Sequence, residues 1–457
     1  QEEYRKDGLL PVNIRLPDAD EVTEKLVYPY VLFYYGERRA VVNLIESDIS
    51  GILSEDVLNN SVSLLEYKFV NAISKLSKEK RPYIAFIHGR GELPPNNTAE
   101  LEKSLRAFYQ VHHIEYDSIT RIDSIIDLLV IAKPRVPFGD REKFMIDQYV
   151  MNGGKVLWLI DALQVVMDSI KGSGNYIPSE YPLNLDDLFF RYGFRINKDL
   201  VLDLECSQIP LQVGVMGDRP QYELFSWYYH PAVSPRSQHP IVKNLDRINL
   251  FFPSSIDTIK TKSKVKKTLL LESSDYTRLQ LSPVRLNFEI LRYEPDESKF
   301  NKGRRTFGVL LEGEFSSLYK NRVTESMHQI LNQLGQSYKE KSKETAMIVL
   351  SDGDLAANAY NTQTDESRPL GYNVYERTLY ANQLFLMNAI DYLVDDTGIL
   401  SARSKDVKLR LLDKVRISQE KGKWQLINIV GPLLFVLLFG MFYNFIRRKK
   451  YIVRRNA

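Results

Sequence analysis

Cysteine is almost absent. Cys206 is the only one in 457 residues, which excludes an intrachain disulfide and any zinc site built on cysteines. It sits in Asp203-Leu204-Glu205-Cys206, where neighbouring negative charge disfavours the reactive thiolate. Histidine is scarce too. His88, His112, His113, His230, His239 and His328 are scattered, and none follows a GxSxG nucleophile elbow. No GxxxxGKS or GxxxxGKT run occurs, so the chain has no P-loop, and any ATP driving its system is bound by another subunit. Gly89-x-Gly91 lacks the third spaced glycine of a dinucleotide fingerprint. There is no internal repeat and no strong charge imbalance. The formal charge is +3, and the final run supplies six positive charges, leaving −3 upstream. That balance excludes nucleic acid as an expected partner of the main body.

What is present is a long uncharged stretch near the C-terminus. Trp424 to Ile446 (WQLINIVGPLLFVLLFGMFYNFI) contains no charged side chain over 23 residues. A helix of that length extends roughly 34 Å, enough for about 30 Å of hydrocarbon. Trp424 and Tyr443 mark its edges, where aromatic rings favour the headgroup boundary. Gln425, Asn428 and Asn444 lie near the ends, and Gly431-Pro432 offers a bend or a close-packing face for another helix. The run Arg447 to Arg455 (RRKKYIVRR) follows at once and resists crossing a membrane. Arg447, Arg448, Lys449 and Lys450 are therefore expected to hold the tail in the cytoplasm, with the preceding residues on the opposite side. The reverse orientation stays open, because Lys414, Arg416, Lys421 and Lys423 flank the other end, diluted by Asp413 and Glu420. The first residue is Gln1, and GLLPVNIRL reads like the middle of a domain, so the natural start is expected to be missing.

Seven segments are expected. Residues 1–80 read as the remnant of an α/β segment, with a hairpin turning at Gly36-Glu37-Arg38. A long helix follows from Ser54 to Leu76, with Val57, Val62, Leu65, Phe69, Ile73 and Leu76 on one face. Residues 81–181 alternate short apolar runs with helices: strands at Tyr83–Ile87, Leu128–Ile131 and Lys155–Ile160, helices at Ala99–Tyr109 and Arg141–Met151. Continuous apolar runs alternating with helices imply a parallel sheet covered on both faces. Residues 182–341 read as a mostly β insertion, with strands such as Leu200–Leu204, Tyr222–Trp227, Val284–Ile290 and Thr306–Leu311, and Lys260–Lys267 as a charged turn. Residues 342–400 complete the α/β domain through a strand at Ala346–Leu350 and a helix at Arg377–Leu393. A stalk (401–423, amphipathic over Val407–Gln419), the membrane helix (424–446) and a basic cytoplasmic tail (447–457) follow.

Two constellations carry possible chemistry. Glu92, Asp161, Asp352 and Asp354 fall at strand ends, where such sheets bind ligands, and could form a carboxylate or metal site. Aspartates there also fill turns and cap helices. The aromatic run Phe225, Trp227, Tyr228 and Tyr229 is the cue for a glycan- or peptide-binding module, against an ordinary core role.

Several phrases together resemble one family. They are Asn184–Gly193 (NLDDLFFRYG), Cys206–Pro210 (CSQIP), Pro253–Asp257 (PSSID), Leu310–Gly313 with Phe315–Ser317, Ser351–Asp354 (SDGD) and Lys423–Asn428 (KWQLIN), in that order. The chain resembles the GldG family, gliding-motility-associated auxiliary components of ABC transporters in Bacteroidota. The α/β region alone resembles the wider ABC-transporter auxiliary domains. The resemblance implies an amidotransferase-like or Rossmann-like parallel-sheet ectodomain with a β-rich insertion and one C-terminal transmembrane helix. It implies an inner-membrane protein with its large domain in the periplasm, and an ABC permease, a cytosolic ATPase and inner-membrane lipid as partners. Trp424, Gln425, Asn428, Gly431 and Pro432 are then the expected packing residues of the membrane helix. No catalytic residue, cofactor or metal is implied. Amidotransferase-like enzymes place a cysteine after a central strand; here Asp161-Ala162 follow it, and Cys206 lies elsewhere.

Overall fold

The computed structural model describes residues 12–17, 22–45, 55–78, 80–173, 175–217, 219–324, 329, 338–361, 366–395, 398–404 and 414–453. It divides into two units, Gln1–Asp406 and Val407–Ala457.

The first unit opens with two hairpins. β1 (Val12–Pro17) pairs antiparallel with β2 (Val22–Val27), and β3 (Tyr30–Tyr35) with β4 (Arg38–Asn43). Gly36, in the left-handed region at φ 58°, makes the second turn. The long helix α1 (Glu55–Ser77) follows. Its inward face differs from the expected one. Leu64, Tyr67, Ala72 and Leu76 are buried, whereas Ile73 is 53 % exposed. Packing decides this: Ala40 and Val42 of the hairpin take Ala72 and Leu76, rotating the helix away from its most apolar stripe.

The alternating region then builds the main sheet. β5 (Tyr83–His88) leads to α2 (Pro95–Arg106), which starts four residues earlier than expected because Pro95 suits the first helical turn. β6 (Gln110–Glu115) is a strand the apolar pattern does not reveal, since its QVHHIE composition is that of a half-polar edge. β7 (Ile126–Ala132), α3 (Asp140–Met151) and β8 (Lys155–Leu159) follow. Gly153, at φ 98°, ends α3 as its spacing implies.

The next stretch is β-rich. It contains α4 (Asp186–Tyr192), β9 (Phe194–Ile196), β10 (Asp199–Asp203), β11 (Cys206–Met216), β12 (Arg219–Val233), β13 (Ile248–Asn249), β14 (Ile256–Thr258), β15 (Val265–Glu272), β16 (Thr277–Leu281) and β17 (Thr306–Ser316). It is not a separate layer of strands. β15 and β17 extend the main sheet, and Val284–Ile290, expected as a strand, ends in a 3-10 turn at Phe288–Leu291. β18 (Lys341–Leu350) and α5 (Asn382–Val394) close the unit. The helix expected from Arg377 begins five residues later, because Arg377 adopts φ 52° at a turn between short strands.

The resulting seven-stranded sheet runs β15-β17-β18-β8-β7-β5-β6. From β18 to β6 every pairing is parallel, and β17 is antiparallel to both its neighbours. Both faces are buried. Along β7, Leu128 and Val130 face one core with α2 and α5, while Leu129 and Ile131 face the other with α3 and α4. A third core beneath the β-rich segment is built on Leu200, Leu202, Trp227 and Tyr229.

The second unit contains α6 (Lys414–Val453), one uninterrupted helix with Pro432 inside it. Its apolar span, Gly422–Arg448, is nowhere buried by protein. The expected stalk lies outside the described residues over 405–413 and is helical from Lys414.

His230 generates a test of the third core. Its ring is buried against Phe251 and Phe252, with centroids 4.8 Å away in both cases. Burial pushes its pKa from 6.5 to about 3. The unfolded chain therefore binds more protons between those values, and stability falls as pH drops through that window. The contribution lost between pH 7.5 and pH 5 should be about 2 kcal/mol. His230→Phe should remove that part of the pH dependence in urea unfolding of the detergent-solubilised chain, read by tryptophan fluorescence. Identical slopes for both proteins would refute the assignment.

Candidate functional site at the strand ends

Open parallel sheets bind ligands where the chain reverses its direction of travel across the sheet. Here that point lies between β5 and β7, since β6 was laid down on the far side of β5. The loops after these strands close on each other. Arg135 N and Val136 N both donate to Arg90 O, at 2.8 and 2.9 Å, and Leu93 N donates to Ala132 O at 2.9 Å. The crevice is filled by the chain's own backbone.

One step along the sheet, the ends of β7, β8 and β18 bring together three of the four expected carboxylates. Lys133, held at φ 54° after β7, reaches Asp161 at 3.0 Å and Asp354 at 2.5 Å. Asp161 Oδ1 accepts from Gly353 N at 2.5 Å. Asp352 accepts from Phe251 N and Asp354 N, both at 2.8 Å. Gly353 is required by close approach, because a Cβ there would lie 2.7 Å from the Lys133 side chain. Glu92 does not join the group; its carboxylate turns back onto Arg90 N at 2.7 Å.

The electrostatics follow from crowding. Burial and then the Asp354 charge raise the Asp161 pKa, Lys133 and the Gly353 amide oppose them, and the balance stands at about 6. Burial, then Asp161 and Asp354, pushes Asp352 well above its usual range. For Lys133, burial pulls the pKa down, but the two carboxylates outweigh it and hold the ammonium charged. The position a cation would take between Asp161 and Asp354 is thus occupied by a lysine. Among the described residues no group of three or more His, Cys, Asp or Glu is arranged to hold a metal. The arrangement is a charged staple joining three strand ends.

A second cluster escaped sequence reasoning. Buried Glu102 accepts from Thr98 Oγ1 at 2.6 Å and Arg106 at 3.0 Å, and pairs with His113 Nε2 at 3.0 Å. His113 Nδ1 in turn lies 2.8 Å from His88 Nε2. Burial and then the His113 charge lower the His88 pKa. The signal is tertiary: only the parallel pairing of β5 with β6 brings these imidazoles together.

In the aromatic run proposed for glycan or peptide binding, Trp227, Tyr228 and Tyr229 are buried in the core and Phe225 is half-buried. Cys206 is quiet, its thiol pushed up to about 12 by burial and by Asp203. On α6, Trp424 is exposed, and Gln425, Asn428 and Pro432 recur at helical spacing along one stripe. Arg447 and Arg448 are exposed at its far end, and the side chains of Lys449 and Lys450 lie outside the described set.

The family model described as "ABC-type uncharacterized transport system" matches residues 81–389. The chain belongs to this family of ABC-transporter auxiliary proteins. The match runs from the start of the parallel sheet to the middle of α5. Membership supports an accessory role in an ABC transport system, in partnership with its components, and the exposed apolar helix fits membrane anchoring there. None of the curated proteins matches the chain. Among solved structures, "mmIFT52 N-terminal domain" is similar at 13 % identity and a TM-score of 0.37, covering 71 % of this chain and 100 % of that one. A likeness that low carries no argument.

The staple makes a direct prediction. Lys133→Met leaves Asp161 and Asp352 buried beside Asp354 without a counter-charge, and should cost about 3 kcal/mol in urea unfolding. Lys133→Met combined with Asp161→Asn should recover at least about 1 kcal/mol of that loss. Strict additivity of the two changes would refute the coupling.

Proposed function

We propose that the chain is the membrane-anchored, extracytoplasmic auxiliary subunit of an ABC transporter complex of the gliding-motility or linked-secretion type, as the GldG-like phrases in its sequence imply. It acts by binding and assembly with permease and ATPase subunits rather than by catalysis. Its α/β body with the β-rich extension stands in the periplasm, on the domain boundaries set out above. The observation that carries this reading is an auxiliary-family body on the same chain as a protein-free apolar helix that ends in a basic cluster.

The helix would do two jobs. Trp424, Gln425, Asn428, Gly431 and Pro432 pack against the permease within the inner membrane, where a glycine permits close backbone approach and amide side chains can bond across helices. Arg447, Arg448, Lys449 and Lys450 keep the tail on the cytoplasmic side against anionic lipid. A carboxylate-dependent activity at the strand ends is the weaker reading, since Lys133 already neutralises Asp161 and Asp354.

The test is recovery of the intact membrane complex. Tagged full-length protein should co-purify with a permease and an ATPase, and deletion of 424–457 should abolish that recovery. Undiminished recovery after deletion would remove the helix from the interface. Protease added to spheroplasts should digest the body and spare the tail; cleavage of the tail from outside would reverse the proposed orientation.

A further inference from the structure

The β-rich segment carries a surface the foregoing does not use. Phe190 projects from α4 and is 60 % exposed, while its neighbour Phe189 is buried in the core. Around it a groove of about 510 Å³ is lined by four cations, Arg191, Arg195, Lys320 and Arg322, and by two acids, Asp186 and Asp187. The balance of charge there is positive. Asp187 is taken by Lys143 at 2.9 Å, and Arg195 by Asp257 at 2.7 Å. Arg191 is held in place by donating to Ser317 O at 2.9 Å, and among the described residues it forms no ion pair. Among the described residues neither Lys320 nor Arg322 forms an ion pair. The strand pair that carries Arg195 leads into a lysine-rich turn at residues 260–264. Arg195 pairs in register with Asp257, and Ile259 N donates to Gly193 O at 2.8 Å, so exposed Lys260, Lys262 and Lys264 follow directly.

We propose that this groove docks an acidic segment of a partner polypeptide, with an apolar side chain of that segment resting on Phe190. Charge complementarity supplies the first reason: three cations around one exposed ring favour carboxylates, and arginine offers them a bidentate fork. The second is the composition of the patch. An exposed aromatic ring among arginines is the chemistry of a protein-interface anchor. A single ring offers too little apolar area to seat the surface in a bilayer, which would require a broad apolar face. The proposal does not depend on which transport component the partner is, nor on the orientation of the membrane helix.

The probes are two fluorescent dodecapeptides, one alternating glutamate with leucine and one with every glutamate replaced by glutamine. They are titrated against the full-length chain in neutral detergent at about 0.05 M and about 0.3 M salt. The acidic peptide should bind at least about tenfold more tightly at low salt and lose most of that advantage at high salt. Lys320→Glu with Arg322→Glu should weaken it about tenfold, and Phe190→Ser should weaken it without changing its salt dependence. Lys171→Glu, at an exposed cation outside the groove lining, should change nothing. If the double reversal fails to fold, Arg322→Gln alone should still lower affinity. Equal affinity for both peptides, or binding untouched by these substitutions, would overturn the proposal. So would binding to phosphatidylglycerol vesicles with the same residue dependence and no preference between peptides, which would assign the groove to lipid headgroups.

Discussion

The body depends on one parallel joint. β18 pairs with β8 in register Met347 to Val156, although most of the β-rich segment lies between them in the chain. Until that joint forms, β8 has an open edge, and neither β17 nor β15 can reach the sheet. Loop-closure entropy opposes such a long-range pairing, so something must hold it once made. Apolar burial supplies most of the holding: Val156, Trp158, Met347 and Val349 fill one face, Leu157, Leu159, Ile348 and Leu350 the other. The strand-end staple supplies the register. Asp161 accepts the Gly353 amide across 192 positions of sequence, and Lys133 binds both Asp161 and Asp354.

The same device recurs at four more buried acids of this body. Asp199 takes the amide and hydroxyl of Ser255, and Asp203 those of Ser274. Asp147 takes Ser317 Oγ and Leu318 N, tying α3 to the turn after β17. Asp391 on α5 is met by Lys75 of α1 and by the Tyr109 hydroxyl. Each carboxylate is answered by donors from a segment remote in sequence, which is what makes a buried charge tolerable and specific. Several of these acids fall in the phrases that mark the family resemblance or bind serines that do, so the resemblance reads as a pattern of internal fastening.

Much of the architecture was legible because it rests on local patterns. The runs Tyr83–Ile87, Leu128–Ile131, Lys155–Ile160 and Ala346–Leu350 are all strands, since continuous apolar residues bounded by turns mark a strand buried on both faces. Other elements were not. β6 looks polar because only one of its edges is paired. The inward face of α1 was set by the hairpin it meets, not by its own hydrophobic maximum. The strand-end aspartates were visible as a group, but the lysine that changes their meaning was not tied to them, since nothing in one chain's order says which strand ends become neighbours.

The sequence by itself determined the long apolar helix, its basic end, the absence of a nucleotide loop and the alternating plan of the parallel region. These follow from composition and short-range periodicity, which need no partner segment. Tertiary structure alone decided that two strands of the β-rich stretch extend the main sheet, that Lys133 stands between Asp161 and Asp354, and that His88 meets His113. Those outcomes depend on strand order and register, which are settled by the competition of all segments for one buried surface.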